Sequence, residues 1–461
     1  MKRSFYIWSL VERFGTSGVS FLGNIVLAAL LTPADFGLVA MLGIFTAVIA
    51  DPCRGMSDAL LREPEPSERD FSTLFIFNTA IGAGLTLLFA LCAPLVARYF
   101  GRPELQPVMA TLGLVSLLNG LSIAQATRLR SQLRFRASAL CSLASIVSAL
   151  AVAITMAAGG LRHWSLVELQ VGYSAFFLLY VTIAVHRLPR WKFDRKRLAY
   201  LWHFGANLML ATIVEQMSNN VFAFILGRNY SPTQAGLMTQ AQKLQQTPVN
   251  AVEASISGTT YAITGKLSGK KERAQSLLKM FRWMALANTA VCTVIAVLAK
   301  PIVEALFPER WIGAVPYLQL LLLWALVYPA GYYMQTVFKT FDRTDIIRNV
   351  FTTERLLILA AAFLLIPWGL EAVIIAATLI SLGAVATYFA LAARVAGIKA
   401  SRWWTTFLGG VLTASVVAMP AAIVVAVIGE GHPWWSLIAG LAAWLAFALP
   451  TVRMIGDRNN D

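Results

Sequence analysis

Asp51, Arg54 and Asp58 follow the apolar run FGLVAMLGIFTAVIA at i, i+3 and i+7, which is one face of a helix. Three more polar sets fall in other predicted spans. Near the start, Glu12, Thr16, Ser20 and Asn24 recur every four residues, with Arg13 beside them. Glu215, Gln216, Asn219 and Asn220 crowd NLMLATIVEQMSNNVFAF. Lys243, Gln246, Asn250 and Glu253 stripe QAQKLQQTPVNAVEASISG, where Pro248 interrupts the helix ladder. A charge at the centre of a membrane helix costs about 2.5–3.5 kcal/mol on insertion scales, so such residues face a bundle interior or a wet cavity. Cations in a low-dielectric cleft suit a polyanion, and phosphate or diphosphate is the natural candidate. Arg54, Lys243 and Arg13 are therefore the candidate substrate-binding cations, and Asn250 joins them from the stripe of Lys243. Carboxylates in the same setting change charge state or ligate an ion. Glu215, Asp51, Glu253, Asp58 and Glu12 are accordingly the candidates for coupling to H+ or Na+. A structural alternative stands beside these roles: Asp51 and Arg54 as a salt pair holding two helices, and Glu12, Arg13, Asp58 and Glu253 as side chains reaching the cytoplasmic interface. Glu354 and Arg355 are adjacent and read as a local structural pair.

The elements that must position these residues follow from composition. The chain has 461 residues, 58% hydrophobic and 13% charged, with a mean hydropathy of +0.66. A soluble globule keeps about a quarter of its residues charged. This balance predicts an all-α, polytopic integral membrane protein. Apolar stretches long enough to span a bilayer fall near 10–31, 37–60, 72–97, 105–125, 138–158, 166–186, 201–227, 234–260, 277–299, 314–337, 346–367, 369–393, 404–428 and 434–452, about fourteen transmembrane helices. The start, basic and then apolar, resembles a signal peptide, but Glu12 and Arg13 interrupt it and no A-x-A site follows. It reads as a retained first helix.

The net charge of +15 fits cytoplasmic loop anchoring, and no nucleic-acid partner is expected. With the N-terminus inside, 26 loop lysines and arginines fall on the cytoplasmic side. Only Arg98, Arg102, Arg162, Arg228, Lys300 and Arg310 fall outside. Both termini are thus expected in the cytoplasm. Cys53, Cys92, Cys141 and Cys292 lie in apolar runs without a CxxC pair, and the four histidines are scattered, so no metal site is expected. The segment GKLSGKK has the wrong spacing for a phosphate-binding loop, and no catalytic constellation stands out; an enzyme is not expected.

The most basic loop, HRLPRWKFDRKRLAYLWHF, separates six predicted spans from eight. It divides the chain into an N-terminal lobe (1–186), a basic linker (187–200), a C-terminal lobe (201–398) and two terminal helices with a short tail (399–461). An internal echo crosses the linker. Thr32-Pro33 and Phe36-Gly37 align with Ser231-Pro232 and Ala235-Gly236 at a constant offset. Repeated halves are typical of transporters that alternate access.

IVLAALLTPADFGLVAM, APLVARYFGRPELQPV, RLRSQLRFRASA, FPERWIGAVPYLQLL and FDRTDIIRN occur in that order between residue 10 and about residue 400. Together they resemble the polysaccharide transporters, the Wzx-type oligosaccharide flippases of the multidrug/oligosaccharidyl-lipid/polysaccharide exporter superfamily. The resemblance implies fourteen helices in two six-helix lobes plus two C-terminal helices. The implied location is a bacterial inner membrane. The implied substrate is an oligosaccharide on undecaprenyl pyrophosphate, flipped for exopolysaccharide, O-antigen or capsule synthesis. Its implied partners are this polyprenyl diphosphate glycan, membrane lipid, and polysaccharide polymerase or co-polymerase machinery. Two departures stand out. Ala29 replaces a frequent arginine, whose counterpart in the second half is Arg228, and Phe307-Pro308 replaces Leu-Gly. The rival readings are a drug/cation antiporter, which needs an acidic, aromatic cleft, and a membrane polymerase or ligase, which needs a large outside loop.

Overall fold

The computed structural model describes residues 2–50, 54–61, 63, 66–186, 193–265, 267, 269–428 and 432–457; within them, the side chains of 2–6, 9, 47–50, 54, 55, 58, 200, 203–215, 262, 449 and 451–457 lie outside the description. The described residues are helical almost throughout. In order the α-helices are α1 Lys2–Leu30, α2 Pro33–Met41, α3 Gly43–Ala50, α4 Arg54–Leu60, α5 Glu68–Phe100, α6 Leu105–Ser131, α7 Phe135–Ala158, α8 Trp164–Val185 and α9 Arg195–Asn229. There follow α10 Pro232–Thr264, α11 Lys270–Val297, α12 Ala299–Leu306, α13 Ala314–Ala325, α14 Tyr328–Thr340, α15 Thr344–Leu364, α16 Leu370–Ala396, α17 Ala400–Ile428 and α18 Pro433–Asp457. Every predicted span falls on one of these helices or on a short run of them. Nine stretches among the described residues are long and apolar enough to cross a bilayer. Helix α10, which carries one of the polar sets, is not among these stretches.

Local chemistry sets the helix ends. Thr32 caps α2 in a capping box: its hydroxyl accepts from Asp35 N, and Asp35 Oδ2 accepts from Thr32 N at 3.0 Å. Pro33 occupies the first turn, where its missing N–H costs nothing. Ser67 and Asp70 form the same box on α5. Gly101 closes α5 in the left-handed region at φ 65°. Asp194 caps α9, accepting from Lys196 N and Arg197 N at 2.9 and 3.2 Å.

The chain forms two compact units, residues 1–236 and 237–461. In the first, α5 packs along α6, α7 along α8 and α1 against α7, while α9 lies against α2, α3, α4 and α5. The start of α9 is tied to α5: Arg197 Nε donates to Asp70 Oδ1 at 2.5 Å, and Asp194 N donates to Thr73 Oγ1 at 3.1 Å. In the second unit, α11 packs against α17, and α16 against α14 and α15. Phe281, Tyr333, Phe338, Tyr388, Phe389 and Trp403 fill the core between them.

The run predicted as one span at 37–60 is broken at Leu42, between α2 and α3; residues 51–53, between α3 and α4, lie outside the description. The stretch 314–337 is split between α13 and α14, with Pro329 in the first turn of α14. A proline there ends the preceding run, because it lacks the amide that would continue it. By contrast α10 runs unbroken through Pro248.

Candidate functional site

The internal echo is a physical contact. Gly37 of α2 faces the first turn of α10, and a Cβ there would overlap the carbonyl oxygen of Pro232. Gly236 faces the first turn of α2, and a Cβ there would overlap the carbonyl oxygen of Pro33. Each added Cβ would also lie 3.0 Å from the other glycine's amide nitrogen. Equivalent residues of the two repeats thus meet each other reciprocally, as across a two-fold axis. Only glycine permits backbones this close. Two turns along, α9 approaches α2 and α3 in the same way, with Gly227 against Met41 and Gly43 against the Asn220 amide.

Glu12 is held by α7. Ser142 Oγ and Ser138 Oγ donate to its Oε1 at 3.0 and 3.3 Å, and Arg130 Nη2 lies 3.9 Å away. Its own carbonyl accepts from Thr16 Oγ1 at 2.6 Å. Arg13, on the next position, is exposed. Arg54, Asp58 and Glu215 belong to helices, but their side chains lie outside the described residues, as does the whole of Asp51.

The stripe on α10 is the most fully described of the four sets. Lys243 and Asn250 are exposed, and Gln246 and Glu253 half-exposed. On the opposite side Leu244, Gln245 and Val249 are buried. The stripe is braced from behind. Gln245 Nε2 donates to the Tyr328 hydroxyl at 3.1 Å, and that hydroxyl donates to Asn250 Oδ1 at 3.4 Å. Tyr328 of α14 therefore fixes both the buried and the presented side of α10. Glu253 Oε1 accepts from Ser257 Oγ at 2.6 Å, one turn on. The result is an amino group, an amide and a carboxylate displayed on one face of a helix whose back is packed. Such a face suits an anion with hydroxyl-rich surroundings.

A second polar group in the same unit is wholly interior. Glu354 and Arg355 of α15 are 6% and 2% exposed. Glu354 Oε1 accepts from Ser381 Oγ at 2.7 Å, and Ser381 Oγ accepts from Trp324 Nε1 at 3.0 Å. Arg355 Nη2 donates to Tyr332 Oη at 3.1 Å, and its guanidinium lies 5.0 Å from the Phe351 ring centre. Sequence reasoning identified the pair but not its partners, nor Gln245 and Tyr328. The available signal was Trp324, Tyr328 and Tyr332 at four-residue spacing, one polar-tipped aromatic face. No group of histidine, cysteine and acidic residues suited to a metal occurs among the described residues.

A family model described as polysaccharide biosynthesis protein matches residues 26–316. The succinoglycan biosynthesis transport protein ExoT of Rhizobium meliloti (strain 1021) is 28% identical over 330 residues, covering 68% of this chain and 64% of ExoT. The teichuronic acid biosynthesis protein TuaB of Bacillus subtilis (strain 168) is 25% identical over 284 residues, 60% of this chain and 58% of TuaB. The chain thus aligns with less than two thirds of the length of either relative. The lipopolysaccharide biosynthesis protein WzxC of Escherichia coli (strain K12) is 22% identical over 358 residues, 75% of this chain and 72% of WzxC. Among solved structures, the lipid II flippase MurJ in an inward closed conformation superposes with a TM-score of 0.74 at 13% identity, covering 98% of this chain and 99% of MurJ. An inward-facing multidrug resistance MATE transporter gives 0.62 at 14%, covering 87% and 95%. At these identities the two superpositions establish a shared fold. The fold is all-helical and multi-pass, as composition predicted.

Proposed function

Because the chain belongs to the polysaccharide biosynthesis protein family, whose model covers residues 26–316, we propose that it is a flippase for polyprenyl-diphosphate-linked oligosaccharide. One observation carries the reading: the α10 face presents Lys243, Asn250 and Glu253 outward from a helix braced by Tyr328. Lys243, with Arg54 and Arg13, holds the diphosphate by charge-assisted hydrogen bonds. Asn250 hydrogen-bonds the proximal sugar. The isoprenoid tail remains in lipid. H+ or Na+ binding at Glu215, Asp51, Glu253, Asp58 or Glu12 biases one access state over the other.

The two lobes, 1–186 and 201–398, provide alternating access to the two sides of the membrane. The reciprocal contact of Gly37 and Gly236 supports a duplicated architecture of that kind. The two terminal helices and the short tail form a further segment, 399–461. The protein resides in a bacterial inner membrane with fourteen spans and both termini in the cytoplasm. It moves its cargo without making or breaking covalent bonds, and hands it to polymerase machinery for exopolysaccharide, O-antigen or capsule assembly. The names of ExoT, WzxC and MurJ support this cargo class over a cationic drug.

The test is flipping in proteoliposomes loaded on one leaflet with a short-chain polyprenyl diphosphate oligosaccharide. The wild-type chain exposes the glycan to an external lectin, and Lys243→Ala slows exposure about tenfold or more, the loss of one charge-assisted contact. Equal rates for the two chains, or transport of a cationic dye in place of the glycan, would overturn the proposal.

A further inference from the structure

A cavity of about 270 Å³ opens between α11 and α17 in the second unit, lined by no residue of α10. Arg282 and Leu286 line it from α11; Thr405, Thr406, Gly409, Gly410 and Thr413 line it from α17. Three features bear on what it holds. First, a Cβ on Gly409 would meet nothing within 4 Å, so the missing side chain is what leaves the wall open. Gly410, in contrast, is pressed against Ala285 and sets the helix spacing. Secondly, the polar groups are a guanidinium and three hydroxyls. A guanidinium is the side chain best matched to phosphate oxygens. Thr405 and Thr406 hydroxyls donate to Arg402 O at 3.1 and 2.7 Å, and each retains the rotational freedom to turn to a ligand. Thirdly, the cavity lies towards the basic ends of both helices, where Lys270, Lys271, Arg273 and Lys279 stand on α11 and Arg402 on α17.

The remaining argument concerns the source of the phosphate. Both walls are helices long and apolar enough to cross a bilayer. On α17 the exposed side chains Leu412, Val416, Met419 and Ile423 continue the line of Thr405 and Gly409 away from the basic end. At 100° per residue these four fall on the cavity side of the helix or immediately beside it. A ligand seated at Arg282 therefore finds polar groups at its head and an apolar track of about 15–20 Å along which a chain can lie. Basic residues at this end also raise the local concentration of anionic lipid. We propose that the α11/α17 cavity is a binding site for the phosphate headgroup of an anionic membrane phospholipid. Arg282 is the phosphate ligand, Gly409 the opening, and the exposed row of α17 the acyl-chain track.

The full chain is purified in mild detergent, and phosphatidylglycerol retained per protein is counted by native mass spectrometry against phosphatidylcholine at equal supply. The wild-type chain keeps one phosphatidylglycerol tightly. Arg282→Gln weakens that binding about tenfold, and Arg282→Lys weakens it less. Gly409→Leu, which fills the cavity without touching charge, abolishes it. Arg394→Gln, an equal loss of charge at an exposed position of α16, changes it less than twofold. Thermal unfolding and monodispersity verify that each variant folds. The proposal is overturned if phosphatidylcholine competes equally, if Arg394→Gln costs as much as Arg282→Gln, or if Gly409→Leu binds normally. Displacement by millimolar inorganic phosphate would also overturn it, by assigning the site to a free anion.

Discussion

Helices α10 and α15 both carry charge through an otherwise apolar unit, and they treat it in opposite ways. On α15, Glu354 and Arg355 are buried and reach across to Ser381, Trp324, Tyr332 and Phe351. On α10, Lys243 and Asn250 are exposed, and the bond of Glu253 is to Ser257 of its own helix. A charge in a membrane helix therefore has two possible uses. It binds helices together when it is buried among side chains of neighbouring helices, as on α15, and under the proposed function it serves a ligand when it is presented from a packed back, as on α10. Position in the sequence does not distinguish the two, but surroundings do.

The largest expected effect lies on the α15 side of this contrast. Arg355→Leu strands a buried carboxylate and should cost on the order of 3 kcal/mol, read as a fall in thermal midpoint and loss of monodisperse protein. Adding Glu354→Leu should recover much of that stability; no recovery would mean the two charges do not act as a unit. Next comes the joint of the repeats. Gly37→Leu should destabilise by about 2 kcal/mol through overpacking, and Gly236→Leu by a similar amount, because the contact is reciprocal. A harmless substitution at either glycine would break the two-fold description. Lys243→Ala belongs to the opposite class: flipping falls about tenfold, worth about 1.4 kcal/mol, while the thermal midpoint stays at the wild-type value. A lower midpoint there would make α10 resemble α15 and erase the distinction. The smallest effect is at Tyr328→Phe, which removes the brace to Gln245 and Asn250 and should cost about 1 kcal/mol of stability with a milder loss of flipping.

The helices were legible in the sequence because uninterrupted apolar runs leave the backbone no other way to satisfy its polar groups in lipid. The break after the first helix was legible in Thr32-Pro33, but α2 begins at Pro33, four residues before the predicted span, because Thr32 and Asp35 form a capping box there. The break between α2 and α3 at Leu42 was not legible, because no proline marks it in the sequence. The candidate site divides along the same line. Lys243, Asn250 and Glu253 share a face by spacing alone, and spacing is local. Tyr328 stands 78 residues from Asn250, so its brace appears only when α10 and α14 are side by side. The repeat of Thr32–Gly37 in Ser231–Gly236 could be aligned by eye, whereas the direct meeting of the two copies required the fold.

The reciprocal glycine joint is made of main chain: carbonyl oxygens and amides that every amino acid shares. Lys243 stands seven residues, about 10 Å, farther along α10 than Gly236. Under the proposed function, one helix would separate mechanical duty from chemical duty: its first turn forms a main-chain joint that no cargo touches, and its middle turns carry the recognition. The middle turns could then be altered to change the cargo while the joint stays as it is, which would make α10 a cassette for retargeting.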